Sequence, residues 1–265
     1  MDDNEFKSNG TIYHQEAVNQ PIFVPKTSTT FAVIGADGGI GAALTDILLA
    51  LNYQVARGVR SETDFMHASA QTFKVDATSW SSIDTFFDNA ESSVGPIYGV
   101  ALCVGSILIK PAHLTQEQEF QQTIDSNLKS AFGIVRSATK RMIKRGGSIV
   151  LVSSCAARQG IPNHEAISAA KAGIIGLTKS AAATYATHGI RVNCVAPGLV
   201  RSKMSEPIIN SEATLKASMS MHPLGRIGEP KDVARSMAWF LDPDQSWVTG
   251  QVLGVDGGLA DLVKR

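Results

Sequence analysis

Cysteine is scarce. Cys103, Cys155 and Cys194 are the only three in 265 residues, with no Cys-x-x-Cys pair and no Cys/His spacing suited to zinc. That excludes a disulfide-stapled scaffold and a structural zinc site, and it predicts reduced, buried thiols in a cytoplasmic setting. An excess of either charge is also missing: lysine plus arginine and aspartate plus glutamate both number 24, for a formal net charge of zero. A neutral chain has no electrostatic reason to seek nucleic acid or an anionic membrane, and little repulsion opposes its self-association. Long apolar runs are lacking too. The longest, Val100–Ile109, ends at Lys110 and is too short to span a bilayer. The first residues include Asp2, Asp3 and Glu5 where a secretory signal would be basic, and no apolar stretch follows them. No nucleic-acid, membrane or metal partner is expected.

What is present is enough apolar material, 44% of the chain, to bury one large core. Residues 1–28 show neither helical nor strand periodicity and predict a loosely ordered extension. Residues 29–265 predict a single domain of alternating strands and helices. Apolar or β-branched runs predict strands at Phe31–Gly35, Tyr53–Val59, Thr72–Val75, Ile97–Val104, Ser148–Ser153, Ile190–Val195 and Val252–Val255. Helical periodicity predicts Ile40–Leu51, Ser81–Asn89, a long helix Thr115–Lys144, a second long helix Asn163–Thr187 with Asn163 as its N-cap, and Asp232–Leu241. Only about a dozen residues separate the second and third strands, so that crossover must be short. Strict alternation without a repeat implies an α/β fold of Rossmann type, a doubly wound parallel sheet between two helical layers. Ligands in such sheets bind beyond the carboxyl ends of the strands.

The segment Gly35-Ala36-Asp37-Gly38-Gly39-Ile40-Gly41 joins the first strand to the first helix. Gly35 permits the sharp turn, while Gly39 and Gly41 permit close approach of backbone to a pyrophosphate and of helix to sheet. The helix start, including the Ile40 amide, offers unpaired N–H groups to phosphate. A glycine cluster also marks ordinary turns, but its place between strand and helix favours a dinucleotide. An acid about 20 residues further on would bind the adenosine ribose of NAD. Val59 stands there, followed by Arg60. A missing acid beside an arginine tilts the reading to NADP over NAD. Asp37 argues the other way, and Arg60 also suits a solvated turn.

With these residues in view, the chain resembles the short-chain dehydrogenase/reductase family from about Thr29 to Leu259. The loop spacing G-x-x-x-G-x-G is similar to that of the family's main branch. Asp76-Ala77 resembles the acid that holds the adenine amino group. Asn127, in Asp125-Ser126-Asn127-Leu128, matches the family's helix asparagine; Ser154, in Ser153-Ser154, its active-site serine; and Lys171, in Ala170-Lys171-Ala172-Gly173, its catalytic and ribose-binding lysine. Arg191-Val192-Asn193, Pro197-Gly198, Val200 and Ser202 resemble the segment that contacts the nicotinamide carboxamide. Pro223-Leu224-Gly225-Arg226 and Asp256-Gly257-Gly258 match the family's C-terminal pattern. The sequence departs from the family in three places. The usual Asn-Asn-Ala-Gly is Leu102-Cys103-Val104-Gly105, so only Gly105 survives, and the loop's leading threonine is Ile34. The catalytic tyrosine, due four residues before the lysine and thirteen after the serine, is Ile167.

Isoleucine has no proton to give. The candidate replacement is His164, seven residues before Lys171, or roughly 10.5 Å of helical rise on the same face as positions 167 and 171. The enoyl-acyl-carrier reductases, a divergent branch of the family, carry their tyrosine at that offset, and Ile161-Pro162-Asn163 also resembles that branch. Imidazole titrates near neutrality and suits proton transfer. The competing reading of His164 is a polar cap without a catalytic role. His113 and His222 read as solvated loop residues, and Cys155 as packing. Leu199–His222, rich in methionine and isoleucine, occupies the family's substrate-lid position and reads equally as a packed excursion or subunit contact. The resemblance implies an NAD(P)-dependent oxidoreductase acting on a small carbonyl, alcohol or enoyl compound, assembled as a homodimer or homotetramer through the two long helices. The alternative is a catalytically inactive NAD(P)-binding protein serving as sensor or partner subunit.

Overall fold

A computed structural model describes residues 29–61 and 66–263; the predicted extension 1–28 lies outside the described residues. Seven strands form one parallel sheet: β1 (Thr30–Ile34), β2 (Gln54–Val59), β3 (Ala70–Lys74), β4 (Ile97–Leu102), β5 (Gly147–Val152), β6 (Ile190–Pro197) and β7 (Val252–Val255). Their order across the sheet is β3-β2-β1-β4-β5-β6-β7, and every pairing is parallel. The order reverses between β1 and β4, which opens a crevice at the carboxyl ends of those two strands.

The helices are α1 (Gly39–Ala50), α2 (Trp80–Val94), α3 (Glu117–Ile124), α4 (Ser130–Met142), α5 (Glu165–Tyr185), α6 (Glu206–Ile209), α7 (Glu212–Met221) and α8 (Pro230–Leu241). The strands alternate their side chains between two buried layers. Ile34, Ala56, Leu102, Ile149 and Val192 face the layer under α2, α4 and α5 with Phe86, Ile134 and Ile174. Phe31, Val33, Val55, Val59, Ala101 and Val150 face the opposite layer under α1 and α8 with Leu44, Leu48, Met237 and Phe240. Burying each such large side chain contributes about 1.5–3 kcal/mol, so a one-residue slip in any central strand would exchange both layers at once. Caps fix where helices begin. Ser79 accepts from the Ser82 amide ahead of α2, and Glu229 and Asp232 form a capping box around Pro230 at the start of α8.

Two expectations are corrected here. The long helix Thr115–Lys144 is two α-helices joined by a π turn, Asp125–Lys129, within which Asn127 sits. Asn163 does not cap the second long helix. His164 occupies the N-cap position of α5, and Asn163 lies one residue outside with φ 64°, a left-handed conformation that asparagine tolerates.

Candidate active site

The glycine segment closes over the end of β1. Gly35, at φ +84°, turns the chain so that its own N–H and that of Ala36 donate to the Gly58 carbonyl on β2 at 2.8 and 3.1 Å. The first helical bond of α1 runs from Ala42 N–H to the Gly38 carbonyl, and no acid stands in the first turn. The amides of Gly39, Ile40 and Gly41, in the first turn of α1, have no acceptor among the described residues. A Cβ on Gly41 would stand 2.1 Å from the Gly35 oxygen, so only glycine lets loop and helix meet there. The Ile40 side chain packs on the core, leaving its amide as its contribution. Beside this loop a cavity of about 260 Å³ brings together Asp37, Arg60, Asp76, Ala77 and Gly105. Hydrogen bonds from the Thr78 hydroxyl (2.7 Å) and amide (2.9 Å) hold the Asp76 carboxyl below its ordinary range, helped by the Arg60 and Lys129 cations. Free amides at a helix start next to a cleft of this size fit the pyrophosphate and adenosine of a dinucleotide.

The other end of the crevice is built on β4, β5, β6 and α5. Asn127 is fully buried. Its Nδ2 donates to the Thr123 carbonyl (2.9 Å) and Ser106 Oγ (3.0 Å), and its Oδ1 accepts from the Ser106 amide (3.3 Å). A Cβ on Gly105 would lie 2.8 Å from Asn127 Oδ1 and 3.3 Å from Lys171 Nζ, so these three residues meet. Lys171 Nζ donates to the Val152 carbonyl at 2.9 Å, and burial pushes its amine down to about 8. Ser153 Oγ donates to the Lys171 carbonyl at 2.8 Å, tying β5 to α5. Ser154 caps a short 3-10 turn, Cys155–Ala157, by accepting from the Ala156 amide at 3.1 Å, and its hydroxyl lies against the Cys155 thiol. Pro197 ends β6, the Gly198 amide donates to the Val255 carbonyl, and the Ser202 amide donates to Ser205 Oγ. The Val200 side chain is in the core, leaving only its backbone at the crevice. Ser154, His164 and Ile167 line one cavity of about 160 Å³ with Ile107, Ile161, Leu199 and Met221.

A family model described as Enoyl-(Acyl carrier protein) reductase matches residues 35–260. The chain is 32% identical over 245 residues to the 3-oxoacyl-(acyl-carrier-protein) reductase FabG of Staphylococcus aureus, covering 88% of this chain and 99% of that protein. It is 32% identical over 260 residues to the 2,5-dichloro-2,5-cyclohexadiene-1,4-diol dehydrogenase of Sphingobium indicum, covering 88% and 97%. The chain belongs to the short-chain dehydrogenase/reductase family. Solved structures agree: ElxO with NADP bound superposes with a TM-score of 0.83 at 25% identity over 88% of this chain and 99% of ElxO. The aldohexose dehydrogenase of Thermoplasma acidophilum superposes with 0.83 at 27% identity over 91% and 97%. The protein is an NAD(P)-dependent oxidoreductase of this type.

In this dehydrogenase/reductase Ile167 is 4% exposed and lines the cavity that Ser154 also lines, giving it an apolar wall. His164 sits at the same cavity, one turn earlier. Its Nδ1 lies 2.7 Å from the Pro162 carbonyl. A carbonyl only accepts, so Nδ1 carries the proton and neutral His164 holds its lone pair on Nε2. The reading of His222 as a solvated residue is corrected. It is 2% exposed and lines the cavity. Its Nδ1 donates to the Ser218 carbonyl (2.7 Å) and its Nε2 accepts from the Leu199 amide (3.3 Å). Both nitrogens are occupied by backbone, so His222 ties the end of α7 to the end of β6 rather than moving protons. Its contacts lie up to 23 residues away, and no local pattern could have shown them. Cys155 is buried, and desolvation pushes its thiol up to about 11, which fits packing and not nucleophilic attack. Arg158, just past the Ser154 turn, pairs with Asp261 at 2.7 Å, bringing the last turn against the cavity wall, where Leu259 lies. Sequence reasoning also passed over Arg57, a fully buried cation inside β2. The signal was there, an arginine within the otherwise apolar run Val55–Val59.

Proposed function

We propose that this short-chain dehydrogenase/reductase moves hydride to or from a small, uncharged carbonyl, alcohol or enoyl compound, with His164 in place of the family's tyrosine. The observation that carries this reading is the single cavity shared by Ser154, His164 and Ile167. No lysine, arginine, aspartate or glutamate is among the described residues lining it; aliphatic side chains dominate, and they favour an apolar substrate. Bound in the crevice, the nicotinamide supplies or removes the hydride. The Ser154 hydroxyl donates a hydrogen bond to the substrate oxygen. As an imidazolium, His164 gives that oxygen the Nε2 proton during reduction; as a neutral base it takes the proton back during oxidation. Lys171 and Asn127, together with Gly105, hold the ribose side, and Lys171 supplies a cation there. Residues 199–222 act as the substrate lid of the single domain 29–265, with Ile208 and Met221 lining the cavity and Met204, Met219 and Met221 all exposed on their outer sides. NADP is favoured over NAD through Arg60. Helix α4, which leaves Phe132 and its C-cap Ile143 exposed, supports with α5 a homodimer or homotetramer, and the three free thiols suit a cytoplasmic setting. The relatives are oxidoreductases, which weighs against a non-catalytic sensor.

The test mixes the protein with NADPH or NADH and a panel of ketones, enoyl thioesters and alcohols, following nicotinamide absorbance. Turnover that falls by about two orders of magnitude or more in His164→Ala, with coenzyme affinity kept, is the expected result. Equal turnover in both proteins removes His164 from the mechanism. Tight coenzyme binding with no turnover on any substrate overturns the enzymatic reading.

A further inference from the structure

We propose that Arg57 determines coenzyme choice by offsetting the charge of Asp37 from beneath the glycine loop. This rests on the coenzyme-binding reading of the crevice given above. Alternation along β2 aims Arg57 at the layer of Val55 and Val59, under α1, a place for an aliphatic side chain. It is 3% exposed. Burying a guanidinium is costly unless it is hydrogen-bonded and paired, and it stays a cation even so. Its partners point to the loop. Nη1 donates to Thr72 Oγ1 at 2.9 Å, on the residue that pairs with Arg57 across β2 and β3. Nη2 makes a long contact, 3.5 Å, with the Ala36 carbonyl, the group immediately before Asp37. The loop is thus attached to β2 twice, through the Gly58 carbonyl and through Arg57.

Asp37 and Arg60 line the same cavity beside the loop, where the adenosine ribose would lie. A bare Asp37 carboxylate there would repel the extra phosphate of NADP and accept from the ribose hydroxyls of NAD. Arg57 changes that balance from the core side. Its Nη2 stands against the Ala36 carbonyl, one peptide before the Asp37 carboxylate; burial lowers the proton affinity of the guanidinium, and the Asp37 and Asp46 carboxylates raise it. With Asp37 offset, the attraction of Arg60 for a phosphate is no longer cancelled. Arg57 touches no substrate; it acts through the loop.

The experiment measures dissociation constants for NADPH and NADH by fluorescence titration in the wild type, Arg57→Gln, Arg57→Lys, Asp37→Asn and the double variant Arg57→Gln/Asp37→Asn. Glutamine keeps hydrogen bonding and loses the charge; lysine keeps the charge. The expected result is a fall of about tenfold in the NADPH-to-NADH affinity ratio in Arg57→Gln, as one unscreened carboxylate in a partly solvated site would give. Arg57→Lys retains the wild-type ratio, and adding Asp37→Asn to Arg57→Gln restores it. Equal weakening of both coenzymes in Arg57→Gln, or no restoration in the double variant, overturns the proposal. Should Arg57→Gln fail to fold, Asp37→Asn alone decides. A masked Asp37 leaves the ratio within about threefold, and a tenfold rise on its removal overturns the proposal. The two readings fail differently. A wild type that prefers NADH overturns the assignment of NADP and leaves the coupling of positions 37 and 57 to be judged on its own. A wild type that binds neither coenzyme overturns the crevice reading, and Arg57 with it.

Discussion

Replacing Lys171 by methionine exchanges a buried ammonium for an apolar chain of similar length, and the structure sets the size of the effect. Lys171 is 7% exposed, and desolvation lowers its amine from 10.5 to about 8. At about 1.4 kcal/mol per tenfold, keeping the proton inside the fold costs roughly 3 kcal/mol at neutral pH. Methionine removes that cost and also the hydrogen bond to the Val152 carbonyl, which for a charged donor contributes about 1.5–3 kcal/mol. Lys171→Met is therefore as stable as the wild type at pH 7, or more stable by about 1 kcal/mol. The pH dependence is more telling. Between the folded value near 8 and the unfolded value near 10.5, the unfolded chain binds more protons than the native one. Wild-type stability thus rises with pH across that window and is lowest below it. The variant lacks this titration. Urea denaturation of both proteins from pH 7 to 10.5, without coenzyme, should show their difference moving by roughly 3 kcal/mol in favour of the wild type. A difference that stays flat over that range refutes the argument that the lysine pays for its burial.

Ile167→Tyr returns a hydroxyl to the cavity wall; in a His164→Ala background it restores turnover in the absorbance assay, at an overpacking cost of about 1–3 kcal/mol read by thermal melting. Asn127→Ala removes the donors to the Thr123 carbonyl and Ser106 Oγ and lowers urea stability by about 2–3 kcal/mol. Asp261→Ala breaks a solvent-facing pair with Arg158 worth about 0–1 kcal/mol; the melting temperature barely changes while KM rises, because Leu259 loses its anchor at the cavity.

The sheet was legible because its buried strands read as apolar runs, and the dinucleotide loop because strand, glycines and helix follow one another directly. Lys171 and Ser154 were singled out by their spacing alone. The π turn was not. The amphipathic pattern of 115–144 continues through it, while the bond from Asn127 Nδ2 to the Thr123 carbonyl accompanies the change in helical register. Asn163 looked like a cap by residue type, but a positive φ takes it outside the helix. His222 was hidden because backbone groups from α7 and from the segment just past β6 satisfy it, and Arg57 because a strand read by its apolar neighbours conceals the cation among them.

The pairing of Arg158 with Asp261 makes the turn at 256–262 part of the chamber that Ser154 lines, since Leu259 forms one of its sides. A purification tag or fluorophore fused just past Leu262 would pull on the segment that holds the Ser154 turn. Kinetic constants taken from such a fusion would describe an altered chamber, whereas an environment-sensitive dye placed there would report ligand entry directly.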